Sequence, residues 1–227
     1  MAFWDEILLG RGGGLVGTAG NAASLAADFI DDSTEEGKKS AGNAAMTAGG
    51  LGIISGLMGG GKSIKDYFDA KGGTTDKDKN RRKGAVAGGI SGLAGIVGGI
   101  ADMIGGSAKK SGNSSLETGM SWVSNIAGLV GTGAGLAQNS YDLKNANIDL
   151  EKAKDSGNED DLKAAKAART SAISGLTTGA LGGLGGILGL VGNSMDAAGK
   201  SGSGWSKAGS VIGNGLGGLS SLIGVFL

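Results

Sequence analysis

Glycine recurs at every fourth position inside apolar segments of a chain that contains no proline. Gly52, Gly56 and Gly60 form one such row, and Gly84, Gly88 and Gly92 a second. Gly175, Gly179 and Gly183 form a third, and Gly209, Gly213 and Gly217 a fourth. On a helix, residues four apart share a face, so each row is a flat groove into which another backbone can fit closely. In water each helical glycine costs roughly 1 kcal/mol against alanine. With 50 glycines in 227 residues, that cost must be offset by tight helix–helix contact or by a solvent such as lipid that enforces helix. The rows therefore point to assembly or membrane action rather than to chemistry.

Composition narrows the function classes further. The chain has no histidine and no cysteine, which removes the commonest general base, the commonest metal ligands, thiol nucleophiles and disulfides. No enzymatic activity, metal or cofactor is expected. The 21 basic and 21 acidic residues balance, so no general attraction to nucleic acid follows. Aromatic residues are 4% of the chain, too few for a core of large side chains. Glycine at this level often signals disorder. Here it alternates with Leu, Ile, Val and Ala, and the charges are segregated, which favours packed helices. The opening MAFWDEILLG has no basic region before an apolar stretch and no clear cleavage site. A secreted or particle-borne protein without a Sec-type signal is expected.

Charges fall in bands at 28–39, 62–83, 109–117, 142–169 and 196–207. The uncharged stretches between them are mostly as long as a bilayer-spanning helix, although Gly, Ser, Thr and Asn dilute their hydrophobicity. The pattern predicts an all-α fold of about six glycine-rich helices, near 3–30, 40–70, 82–109, 117–154, 159–198 and 204–225. Ser33 or Thr34, Gly72-Gly73 with Thr74 and Thr75, Ser111-Gly112-Asn113-Ser114, Ser156-Gly157-Asn158 and Ser201-Gly202-Ser203-Gly204 mark the breaks. Ser115 or Thr118 is expected near the fourth N-cap. A weak repeat of glycine helix, polar turn and glycine helix, with Trp122 or Trp205 in two of its copies, suggests three glycine-zipper hairpins. They would occupy 1–62, 84–141 and 171–227, joined by a polar linker at 63–83 and a polar helical tip at 142–170.

Gly56-Leu57-Met58-Gly59-Gly60-Gly61-Lys62-Ser63 satisfies the phosphate-loop pattern GxxxxGK[ST]. Four Lys-Ser pairs in a chain one-fifth glycine make a chance match on the order of 0.2, and no strand ending in a second acidic motif follows. Gly56, Gly61, Lys62 and Ser63 are therefore expected to be helical rather than nucleotide-binding. Arg81-Arg82-Lys83 precedes an apolar segment and reads as a solvated helix start or a headgroup anchor. Asp102 interrupts an apolar segment, where a carboxylate faces a pore, pairs with a lysine or lies near a helix end. Asn21, Asn43, Asn125, Asn193 and Asn214 recur in the glycine helices and would bridge helices, line a wet lumen or lie on the surface. Trp4, Trp122, Trp205 and Phe226 are the expected interfacial anchors, within apolar N- and C-terminal patches in the case of Trp4 and Phe226.

The rows at 84–99, 175–189 and 209–217 resemble the glycine zippers of membrane-depolarising bacterial toxin domains, including the C-terminal domains of LXG-type toxins and the cargo of contractile injection systems. An LXG-type delivery domain is lacking. The opening MAFWDEILLGRGGGLVG is similar to those of phage pilot or ejection proteins, without their long coiled coil. The first resemblance implies a delivered antibacterial toxin or effector that inserts into a target-cell bilayer and permeabilises it. Leu, Ile and Val would face lipid and Ser, Thr and Asn a lumen. Its implied partners are the bilayer, further copies of itself or a delivery machine, and an immunity protein. The second resemblance implies a structural or ejection component of a phage or injection particle.

Overall fold

In a computed structural model, which describes residues 12–216, six α-helices carry nearly all of the described residues. They are α1 (Gly12–Phe29), α2 (Glu35–Ala70), α3 (Asp76–Lys110), α4 (Ser114–Ser156), α5 (Glu159–Ala197) and α6 (Ser203–Ser210), the last continued by a π-helical turn, Val211–Leu216. No strand occurs among the described residues. The fold is all-α. The anchors Trp4 and Phe226, the apolar terminal patches and Gly217 lie outside the described residues.

The helix limits follow from local chemistry. The Thr34 hydroxyl accepts the Gly37 N–H at 3.0 Å and starts α2. Thr75 and Asp78 form a reciprocal capping box at the start of α3. The Asn113 side chain accepts the Leu116 N–H at 3.1 Å, so the cap of α4 is Asn113 rather than Ser115 or Thr118. Asn158 accepts from the N–H groups of Asp160 and Asp161. Gly112 and Gly157 hold φ of 72° and 68°, the left-handed turn that ends a helix and that other residues adopt only at a cost. Because α3 begins at Asp76 and α2 runs to Ala70, the stretch 63–83 is mostly helix around a short turn rather than a linker. The stretch 142–170 consists of two helix ends around Gly157.

Each helix packs antiparallel on the next, and α6 with its π turn packs on both α5 and α1. Asn214 donates to Ser24 at 3.1 Å, and Ser210 to Asp28, across this last seam. The order α1–α2–α3–α4–α5–α6 thus closes into a ring. It does not divide into three separate hairpins: the most extensive seam is α2–α3, across the stretch expected to part the first hairpin from the second.

That seam is built from glycine. A methyl placed on Gly56 would stand 2.6 Å from the Gly92 carbonyl oxygen, and one on Gly92 2.7 Å from the Gly56 oxygen. Gly49 faces Gly99 and Gly42 faces Gly106 in the same reciprocal way. The period is seven, not four, as two helices crossing at a shallow angle require. Ser63 and Ala85, both buried, continue the register. With Cα hydrogens aimed at carbonyl oxygens, each pair gains weak Cα–H···O attraction as well as dispersion.

Every buried apolar residue described is an alanine, and no large side chain is fully buried. Leu57, Leu93, Val97, Ile126, Leu184 and Ile187 are about half or more exposed. The large side chains lie on the outside of the ring.

Two glycine substitutions should have opposite signs. A side chain at Gly50 meets nothing within 4 Å, so Gly50→Ala should stabilise the protein by about 1 kcal/mol through helix propensity alone. Gly56→Ala gains the same propensity but drives a methyl into backbone, and a net loss of about 1–3 kcal/mol is expected. Thermal unfolding followed by circular dichroism reads both.

Candidate functional site

Closing six helices around small residues leaves a cavity of about 980 Å³ along the ring axis. Every helix contributes one stripe to it, with the three- and four-residue steps of a helix face. On α4 the stripe is Ser121, Ser124, Asn125, Gly128, Thr132 and Gly135, with Gln138 and Asn139 beyond. On α3 it includes Ser91, Gly95, Gly98, Asp102 and Gly105, and on α1 Gly17, Asn21, Ser24 and Asp28. The outer stripes of the same helices carry Val123, Ile126 and Val130 on α4, and Ile90, Leu93, Val97 and Ile100 on α3. The ring is therefore lined by glycine, alanine and small polar residues inside and is apolar outside.

Of the sequence-predicted glycines, Gly52, Gly56, Gly88, Gly92, Gly175, Gly179, Gly209 and Gly213 line this lumen. They act in different seams. Gly56 and Gly92 clamp α2 to α3, and a methyl on Gly209 would stand 2.5 Å from the Gly185 oxygen in the α5–α6 seam. Gly213 packs on Gly185 in that same seam. Gly88 receives the Ser63 hydroxyl and the Gln138 side chain, and Gly175, Gly179 and Gly183 receive Asn139, Leu136 and Thr132 of α4. Gly84 makes ordinary contact with Tyr141. Gly52 is in ordinary contact with Gly99, and a side chain on Gly60 would point into open space, so the row 52–56–60 is not a single packing surface. The four-residue reading missed Gly42, Gly49, Gly99 and Gly106; a count of small residues at period seven finds them. Trp122 is half-buried and Trp205 is 47% exposed.

The Walker-like residues Gly56, Gly61, Lys62 and Ser63 lie in mid-helix in α2. Their backbone N–H groups are engaged along the helix rather than gathered into a loop that could cradle phosphate. Lys62 is bound to Asp66 at 2.7 Å, and Ser63 is buried.

The asparagines divide by position. Asn21, Asn125, Asn193 and Asn214 face the lumen, with Asn193 donating to Ser121 at 3.0 Å. Asn43 is exposed. Asp102 also faces the lumen and accepts from Ser124. Near the same mouth, Lys109 joins Asp32 at 2.6 Å and Glu117 at 3.4 Å, and the Lys109 ammonium holds the Asp32 carboxyl below its usual range.

At the opposite end α2 to α5 extend beyond the ring as a charged head. Arg81 bonds Asp66 at 2.8 Å and Asp69 at 3.2 Å. Arg82 donates to the carbonyls of Ala70 and Gly73, both at 2.7 Å, capping the end of α2. Lys77 bonds Asp149 at 2.7 Å, and Asn80 bonds Asn145 at 3.2 Å. The basic cluster thus has internal partners in its first two members. A smaller apolar hollow of about 380 Å³, lined by Ile187, Val191 and Met195 among others, lies on α5 and belongs to the apolar exterior.

Comparison with family models, characterised proteins and solved structures found no match. The functional reading rests on the ring itself.

Burial pushes the Asp66 carboxyl up, but hydrogen bonds from Lys62 and Arg81 outweigh it and hold the group below the usual carboxylate range. A group depressed in the folded state contributes stability above its unfolded value, near 3.9, and loses it as pH falls through the folded value. Asp66→Asn should therefore lower the melting temperature at neutral pH. The difference should shrink at a pH well below the usual carboxylate range, where the Asp66 carboxyl becomes protonated in the folded and the unfolded chain alike. Paired melts at the two pH values decide it.

Proposed function

We propose that this chain inserts into a lipid bilayer and permeabilises it. The observation that carries the reading is the inverted distribution of side chains: alanine and glycine between helices, Ser, Thr and Asn around a lumen, and Leu, Ile and Val outward. In water an exterior of that kind is a large exposed apolar surface. In lipid it is the ordinary outer face of a helical bundle, and small residues at the seams supply the packing that drives association there.

Dimensions support the reading. The uncharged runs 40–61 and 118–141 are about 33 and 36 Å long as helix, against a hydrocarbon core of about 30 Å. α3 and α5 each contain an apolar window long enough to cross. A core helix of a soluble protein passes the same test but is mostly buried, whereas these windows are 44% and 17% buried. The charged head would stay in water on one side, with the short turns at 30–34, 111–113 and 198–202 at the other face.

As a delivered antibacterial toxin or effector, the chain would act at the bilayer of a target cell. A membrane-embedded immunity protein would be the natural antagonist.

The test is to place a charge on the outer belt. Leu93 is 65% and Ile126 51% exposed, so Leu93→Lys and Ile126→Lys are harmless if water bathes these positions. If lipid does, each costs roughly 2.5–3.5 kcal/mol near the bilayer centre. The double variant should lose most of its co-flotation with liposomes and its release of entrapped dye. Undiminished flotation and release, or no release by the unsubstituted protein, would overturn the proposal.

A further inference from the structure

We propose that the lumen of a single chain is itself the conduction path, and that it passes small cations in preference to anions. This rests on the membrane reading above and goes beyond it by assigning the path, the stoichiometry and the class of permeant.

The path is already closed within one molecule. The seam between α1 and the α6–π segment completes the ring through Ser24–Asn214 and Asp28–Ser210, so no second copy is needed to wall the lumen. Lumen-lining residues run from Asp28, Lys109 and Glu117 at one mouth to Lys62, Gln138 and Asn139 at the other. Spread over about 35 Å of helix, 980 Å³ open to the centres of water molecules gives those centres a mean area of about 28 Å², a passage on the order of 9 Å between walls once the 1.4 Å water radius is added on each side. That admits a partly hydrated ion and excludes a folded protein or a nucleic acid duplex.

The charges in the lumen set its sign. Lys62 is held by Asp66, and Lys109 is shared between Asp32 and Glu117. Asp28 and Asp102 line the same lumen and take their side-chain hydrogen bonds from hydroxyls, those of Ser210 and Ser124. Both lysines are matched by acids; Lys109 and Lys207 lie near Asp28, while Asp102 has no cation facing it, so the acids remain in excess. A narrow, low-dielectric passage with an acidic excess concentrates cations. The hydroxyls and amides of Ser91, Asn125 and Thr132 offer oxygens along the way.

Two pairs of variants separate the lumen from other paths. Gly128 lines the lumen and Gly133 does not; a side chain added at either meets nothing within 4 Å. In planar bilayers, Gly128→Phe should cut conductance at least tenfold and Gly133→Phe should leave it near the unsubstituted level. Equal helicity by circular dichroism controls for folding. The second pair uses the absence of native cysteine. Current through Ser91→Cys should be blocked by a cationic methanethiosulfonate, while current through the outward-facing Val97→Cys should not. Under a potassium chloride gradient the reversal potential should lie toward that of potassium and move toward zero in the Asp28→Asn, Asp102→Asn double variant.

Currents indifferent to Gly128→Phe and to the reagent at Ser91→Cys would place the path outside the ring and overturn the inference while leaving membrane insertion intact. A reversal potential at zero or toward chloride would overturn the cation preference. No current from the unsubstituted protein would overturn the membrane reading as well.

Discussion

The contact on which the molecule depends is glycine Cα against a facing carbonyl oxygen, repeated every seven residues between α2 and α3. Gly42, Gly49 and Gly56 meet Gly106, Gly99 and Gly92 in reciprocal pairs. Beside each pair a side chain of the facing helix lies over the glycine, Met103 on Gly49, Ile96 on Gly56, Ile53 on Gly99 and Met46 on Gly106, so stabilisation comes from their dispersion together with backbone dispersion and Cα–H···O attraction. Each term is small, and only a long run of them offsets the entropy glycine loses on entering a helix. This is why the helices are long: 36 residues in α2 and 35 in α3.

Close backbone packing has a geometric consequence. Large side chains that do not lie over a seam glycine, in helices arranged as a ring, can go inward or outward. Here small and polar residues occupy the inner stripes, and Leu, Ile and Val the outer ones. A ring filled by Leu would be an ordinary bundle with a dry core. Six inner stripes of Gly, Ser, Thr and Asn leave space, and a polar space invites water. The same choice that hollows the molecule makes its exterior apolar. Lumen and apolar belt are therefore two results of one residue pattern. The ion pairs of the head and of the far mouth bracket that pattern along the helices and fix where it would stop crossing a membrane.

Much of the architecture was legible in the residues and part was not. Glycine dilution of apolar segments, absence of proline and the polar breaks led to six helices, and Thr34 and Asn158 cap where the breaks fall. Register was not legible. A glycine reports that something approaches but not what: Gly175 meets an Asn139 side chain, Gly92 a backbone, and Gly60 meets nothing in the direction of its missing side chain. In a sequence one-fifth glycine, period four and period seven coexist, and the eye takes the shorter. Ring closure was illegible for a different reason. It depends on two contacts of very large sequence separation, Asp28 with Ser210 and Ser24 with Asn214, whose side chains have no local signature. Asp102 was visible as an anomaly in an apolar run; only the structure shows the facing Ser124 and the hollow beside it. The phosphate-loop pattern at Gly56–Ser63 lies in the middle of α2.

The central claim is that the two faces of each long helix see different solvents. A nitroxide scan of α4 in liposomes, one cysteine at a time from 118 to 141, tests it most directly. The account predicts that collision with oxygen peaks at 119, 123, 126, 130 and 133. Collision with a water-soluble nickel chelate should peak half a turn away, at 121, 124, 128, 132 and 135, with a period near 3.6. Chelate collisions peaking on Val123, Ile126 and Val130 instead, or the two profiles in phase, would contradict it.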